Sequence, residues 1–182
     1  MQPDFQTPIQ VITIANEYIK QLKTNTKTTF LTDNKTKLIL NVKTTSTRKH
    51  DTLFFKPMLK ELKNSLKLVL ADKGYDSKEN RNYCFENNIE VHIPFRQWTK
   101  TRHQEHGTPS KRQLQQKLFN ETKYRQRALI ESINSAIKRT LGGFVRARTA
   151  SQQQKQVTIK TLTYNIEHIN KTTKITLTIK TK

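Results

Sequence analysis

The chain has 182 residues and a formal net charge of +20, with 34 Lys and Arg against 14 Asp and Glu. That length suffices for one domain with its own core. The spread of positive charge points to a polyanionic partner, with nucleic acid before an anionic membrane. No apolar run approaches the roughly 20 residues of a membrane span. The single Cys84 excludes an internal disulfide and suits a reducing cytoplasm.

Residues 1–27 carry no clear periodicity. A hairpin follows, with strands over Thr28–Thr32 and Lys37–Lys43 turning at Asp33-Asn34. Asp51 is placed to cap a helix from Thr52 to Asn64 and to offer its charge to that helix N-terminus. Leu66–Ala71 reads as a short buried strand ending on Asp72. Gly74 permits a sharp turn, and Asp76 or Ser77 can cap a helix running to about Asn87. Of these roles for Asp76, the cap is favoured over metal ligation. Ile89–Phe95 makes the next strand. This β-turn-α-β unit leaves an acid at the carboxyl end of a strand, where open α/β sheets bind ligands.

A basic stretch then runs from Arg96 to Arg127, with nine Lys or Arg against Glu105 and Glu121. Trp98 among Arg96, Lys100 and Arg102 suits base stacking and phosphate contact; a solvated loop explains the same residues equally well. His103 and His106 lack the partners and spacing of a zinc site. From Thr122 to Thr140 the periodicity predicts one helix. Tyr124, Arg127, Glu131 and Lys138 fall within a sector of about 60° on it. Leu129, Ile130, Ile133, Ala136 and Ile137 occupy the far side. One acid among three phosphate-gripping groups is what metal chemistry on a nucleic-acid backbone requires, although i,i+4 pairs on a solvated face give the same pattern. A last helix is marked by Val157, Ile159, Leu162, Ile166 and Ile169, and the end from Thr172 is expected to fray.

Two blocks carry a resemblance. Tyr124, Arg127, Glu131 and Lys138 have the spacing of the signature around the third catalytic acid of insertion-sequence DDE transposases. Ala71–Arg81, reading ADKGYDSKENR, resembles that family's block around its second catalytic Asp, here Asp72. His50-Asp51, Gly142-Gly143 with Arg146 and Arg148, and Tyr164-Asn165 are weaker matches in the same order. The interval between Asp72 and Glu131 is too short for a large β insertion, so the likeness is to the compact group, specifically its C-terminal catalytic portion.

The resemblance implies an α/β fold, an RNase H-like mixed sheet flanked by helices over residues 28–170, with 1–27 an ambiguous remnant and 171–182 a basic tail. It implies DNA transposition by metal-dependent nicking and strand transfer, with two Mg2+ or Mn2+ ions. Asp72 and Glu131 become catalytic and metal-binding residues; Tyr124, Arg127, Lys138, Arg139, Arg96 and Trp98 become DNA contacts. The partner is DNA at element ends and target, engaged by a homodimer, in a prokaryotic cytoplasm at the nucleoid. The family's first catalytic Asp lies on the first strand. No apolar run precedes Asp4, the one weak candidate, so the sheet is expected to lack that strand through N-terminal truncation. On that expectation the chain alone is inactive. The alternative function is a non-catalytic basic DNA-binding protein.

Overall fold

The computed structural model describes residues 11–19, 26–45, 49–95 and 117–180. Among these residues, five strands form one mixed sheet: β1 (Val11–Ile19), β2 (Thr26–Asp33), β3 (Ile39–Thr45), β4 (Leu68–Ala71) and β5 (Glu90–His92). The order is β3-β2-β1-β4-β5. β1, β2 and β3 run antiparallel, whereas β1, β4 and β5 run parallel. Among the described residues, five helices accompany the sheet: α1 (Thr52–Leu59), α2 (Lys78–Glu86), α3 (Glu121–Arg125), α4 (Ala128–Leu141) and α5 (Ala150–Lys180). This is the RNase H-like arrangement.

Alternation along the strands builds two apolar layers, since successive side chains face opposite ways. Ile12, Ile14 and Leu31 join Phe55, Met58, Leu59 and Cys84 beneath α1 and α2. Phe30 and Ile39 instead meet Ile130, Ile133, Ile137 and Val157 of α4 and α5. The apolar face expected for α4 is therefore the buried one.

The sheet has a first strand, contrary to the expectation of its absence. β1 lies at the centre, paired to both β2 and β4. Its signal was weak because the short apolar stretch Val11, Ile12, Ile14 and Ala15 gives way at once to Asn16 and Glu17. Two neighbouring strands supply what local pattern does not. Asp4 lies outside the described residues.

β3 is one of the two edge strands, and α5 covers its open backbone groups. The Asn165 amide accepts from the Ile39 N–H and donates to the Ile39 carbonyl, both at 2.9 Å. Gln154 does the same to Thr44 N–H at 2.6 Å and Val42 O at 3.1 Å. Tyr164-Asn165 thus has a structural task. α5 continues through the segment expected to fray, because extending a formed helix adds a bond per residue without a new nucleus.

Two further expectations are corrected near α1. The helix ends at Leu59, with Pro57 inside it removing one hydrogen-bond donor, and a separate 3₁₀ turn spans Lys63–Ser65. Asp51 makes no side-chain cap; it pairs with Lys27. Lys27 is buried, and a buried ammonium needs a carboxylate more than a helix end needs a cap.

That pair also constrains Gly74, since a Cβ there would run into the Asp51 carboxylate. Asp51 is not free to swing away without stranding Lys27. Gly74→Ala is therefore expected to cost about 1–3 kcal/mol, the usual range for overpacking, read as a lower urea midpoint.

Candidate active site

β4 is fully buried between β1 and β5, and the chain leaves it at Asp72. A 3₁₀ turn, Lys73–Tyr75, closes at once through Tyr75 N–H to the Asp72 carbonyl at 2.9 Å. Tyr75 is fully buried and packs against Phe55. Asn80 donates to the Tyr75 carbonyl at 3.0 Å and the Thr52 carbonyl at 3.3 Å. Ser77 caps α2 by accepting from the Asn80 N–H. The backbone that presents Asp72 is thus tied to two helices. Of the two cap candidates Ser77 is the one used; Asp76 is buried against Arg81, 2.8 Å away.

The segment expected as one helix is two. Between α3 and α4 the Gln126 and Arg127 N–H groups bond three residues back, to Lys123 and Tyr124. This tighter winding separates Tyr124 from the helix that carries Glu131. The junction is held from the hairpin turn: Asn34 donates to the Gln126 carbonyl at 3.4 Å and accepts from the Thr13 hydroxyl at 2.8 Å.

Arg127 joins the elements. Its Nη1 lies 2.8 Å from Asp72 Oδ1, and its Nη2 lies 3.1 Å from Glu131 Oε1. One guanidinium is gripped by an acid from the sheet and an acid from α4. Burial pushes the Asp72 carboxyl up from its usual value; Arg127 opposes this and Glu131 reinforces it. Tyr124 stands 5.7 Å from the Arg127 guanidinium by its ring centre and 5.4 Å from Phe119. Burial raises its hydroxyl pKa, with Arg127 acting downward and Asp72 and Glu131 upward.

Asp72, Tyr124, Arg127 and Glu131 therefore form one cluster. Lys138 does not join it: seven residues beyond Glu131, it lies roughly 10 Å further along α4, beside Gly142, Gly143 and Lys160. Arg139 is exposed on the same last turn. Arg96, Trp98, His103 and His106 lie outside the described residues. Among the described residues, no group of three His, Cys, Asp or Glu side chains converges as metal ligands. Neither Thr13 nor Asn34 was legible as a site residue, because each acts through a contact made only in the folded chain.

Residues 13–166 match the transposase DDE domain family. The chain belongs to that family. No match to a curated protein was found. Among solved structures, this transposase domain is similar to the HTLV-2 integrase catalytic core domain in complex with magnesium. The identity there is 12% and the TM-score 0.47, over 75% of this chain and 72% of that one. The BIV integrase catalytic core gives 12% identity and a TM-score of 0.43, over 84% and 80%. A chain of the simian T-cell lymphotropic virus intasome in complex with PP2A regulatory subunit B56 gamma gives 14% identity and a TM-score of 0.42. That match covers 48% of this chain, which spans only 35% of the intasome chain. Among the described residues, no helix is long and apolar enough to cross a membrane.

Proposed function

We propose that this transposase domain serves DNA transposition by holding a divalent cation at Asp72 and Glu131 and a DNA phosphate at Arg127 and Tyr124. The observation that carries the reading is the convergence of both carboxylates on the Arg127 guanidinium. The residues fit a hard cation: the donors are carboxylate oxygens from two rigid elements, and they already share one positive group. Mg2+ or Mn2+ bound there supplies Lewis acidity toward a phosphoryl oxygen during nicking and strand transfer. Arg127, relieved of its carboxylates, is a planar fork suited to a phosphate. Tyr124 adds a hydroxyl donor beside it. Lys138 and Arg139 extend the basic surface along α4 as further phosphate contacts, and Arg96 and Trp98 are proposed to act on the same DNA. The reading as a basic DNA-binding protein without catalysis is not favoured, because family membership accounts for both acids and that reading accounts for neither.

The test uses Mn2+ titrated into the labelled chain, read by paramagnetic broadening. Resonances around Asp72 and Glu131 should broaden first, and Asp72→Ala with Glu131→Ala should abolish this. Broadening that is unchanged in the double variant would place the cation elsewhere.

DNA binding supplies a further expected outcome. Affinity for a short duplex should fall steeply with salt as counterions are released. Arg127→Ala with Lys138→Ala should lower the affinity and reduce the salt slope by about one per lost phosphate contact. Fluorescence anisotropy across a salt series reads both quantities, and an unaltered slope would remove these two residues from the DNA contact.

A further inference from the structure

A closed ring of polar contacts joins β5 to α3. His92 ends β5 and is 1% exposed. Its Nε2 lies 2.9 Å from Glu90 Oε1, and its Nδ1 accepts from the Asn120 N–H at 3.3 Å. Asn120 caps α3, its side chain accepting from the Lys123 N–H at 2.9 Å. Lys123 Nζ returns to Glu90 at 2.7 and 2.9 Å. The imidazole also meets Phe119 edge-on at 5.8 Å, and Phe119 packs on Tyr124. Tyr124 in turn faces Arg127.

The chemistry of the imidazole makes this ring conditional. A neutral ring with its proton on Nε2 donates to Glu90 and accepts from Asn120, satisfying both. A second proton on Nδ1 would meet the Asn120 N–H donor to donor. The contact that ties the head of α3 to β5 would then break. Burial favours the neutral form most, Lys123 from α3 and Arg81 from α2 favour it too, and Glu90 on β5 opposes them.

We infer that His92 is a positioning residue for the site: in its neutral form it fastens α3 to β5 and so sets Tyr124 and Arg127 against Asp72 and Glu131, and its protonation loosens them. The inference rests on the reading of that cluster as the functional site.

The test is an NMR titration of the full chain without DNA or metal, from neutral pH down through the imidazole range. It follows His92, the Asn120 amide, the Tyr124 ring and the Arg127 Nε–H. The last three should shift with the midpoint of His92. In His92→Asn, Oδ1 takes the place of Nδ1 as the acceptor, so the His92-linked shift should vanish and the neutral-pH positions persist. His92→Phe keeps the bulk without the acceptor and should displace the three signals at every pH. Protonation events that do not involve His92 are common to wild type and variants, so the difference isolates His92. Tyr124 and Arg127 signals that ignore the His92 midpoint, or that move identically in His92→Asn, would overturn the inference. The readout involves neither cation nor DNA, so its failure is distinct from a failure of the Mn2+ experiment.

Discussion

Asp76→Ala will cost this domain about 3–5 kcal/mol, whereas Asp72→Ala, four residues earlier in the same block, will cost almost nothing. Asp76 and Arg81 are both buried, and Arg81 also donates to the Ile93 carbonyl at 2.7 Å. Removing the acid leaves a guanidinium without its counter-charge in the interior. The loss is a large part of the roughly 5–15 kcal/mol that holds a typical domain together. Asp76→Ala with Arg81→Met, which removes both charges, should recover much of it.

Asp72 behaves oppositely. Its folded carboxyl sits above its usual value, chiefly through burial. An acid raised in this way destabilises the fold fully above its folded pKa, and the penalty is relieved as pH falls through that pKa. Deleting the carboxylate at neutral pH removes the penalty together with a partly exposed pair to Arg127, worth little after solvent screening. Urea unfolding followed by circular dichroism separates the two variants. A collapse of Asp72→Ala would show that this acid is there for stability and would remove the motive for a functional role.

The contrast bears on what could be read from residue order. The block from Ala71 to Arg81 was legible because its logic is local: a strand ends, a glycine turns, Ser77 caps, a helix starts. The apolar face of α4 was legible for the same reason, since Ile130, Ile133 and Ile137 recur at helical spacing. Helical spacing also placed Arg127 beside Glu131, one turn apart. It could not show that Asp72, from a distant strand, takes the other end of the same guanidinium. The break before α4 carries no Gly or Pro to announce it. Nothing local marks Lys27 for burial, and only tertiary packing makes it claim Asp51. His92 and Asn120 are far apart in sequence, and nothing local marks them as partners. β1 was missed because its strand character comes from its neighbours.

β1 also supplies the last expected result: Ala15→Asp is expected to strengthen, by tenfold or more, the cation binding proposed at Asp72 and Glu131. β1 and β4 are parallel and their register runs to Ile14 opposite Ala71, so Ala15 and Asp72 each follow at the same end of the pair. Paired strands lie only about 4.8 Å apart. A carboxylate at position 15 therefore adds a hard oxygen ligand next to one proposed to bind the cation, and each tenfold in affinity is about 1.4 kcal/mol. Calorimetric titration with Mn2+ measures it, and manganese-dependent nicking of duplex DNA should rise in the same variant. Ala15→Asn has nearly the same shape without the charge and should gain nothing. In a chelator Ala15→Asp should be less stable than wild type, because two carboxylates then crowd one strand end. Mn2+ should restore that stability progressively, since a ligand of the native state alone stabilises by RT ln(1 + [L]/Kd). An Ala15→Asp variant with unchanged Mn2+ affinity, and no added instability in chelator, would mean that the end of β1 does not face the cation that Asp72 is proposed to hold.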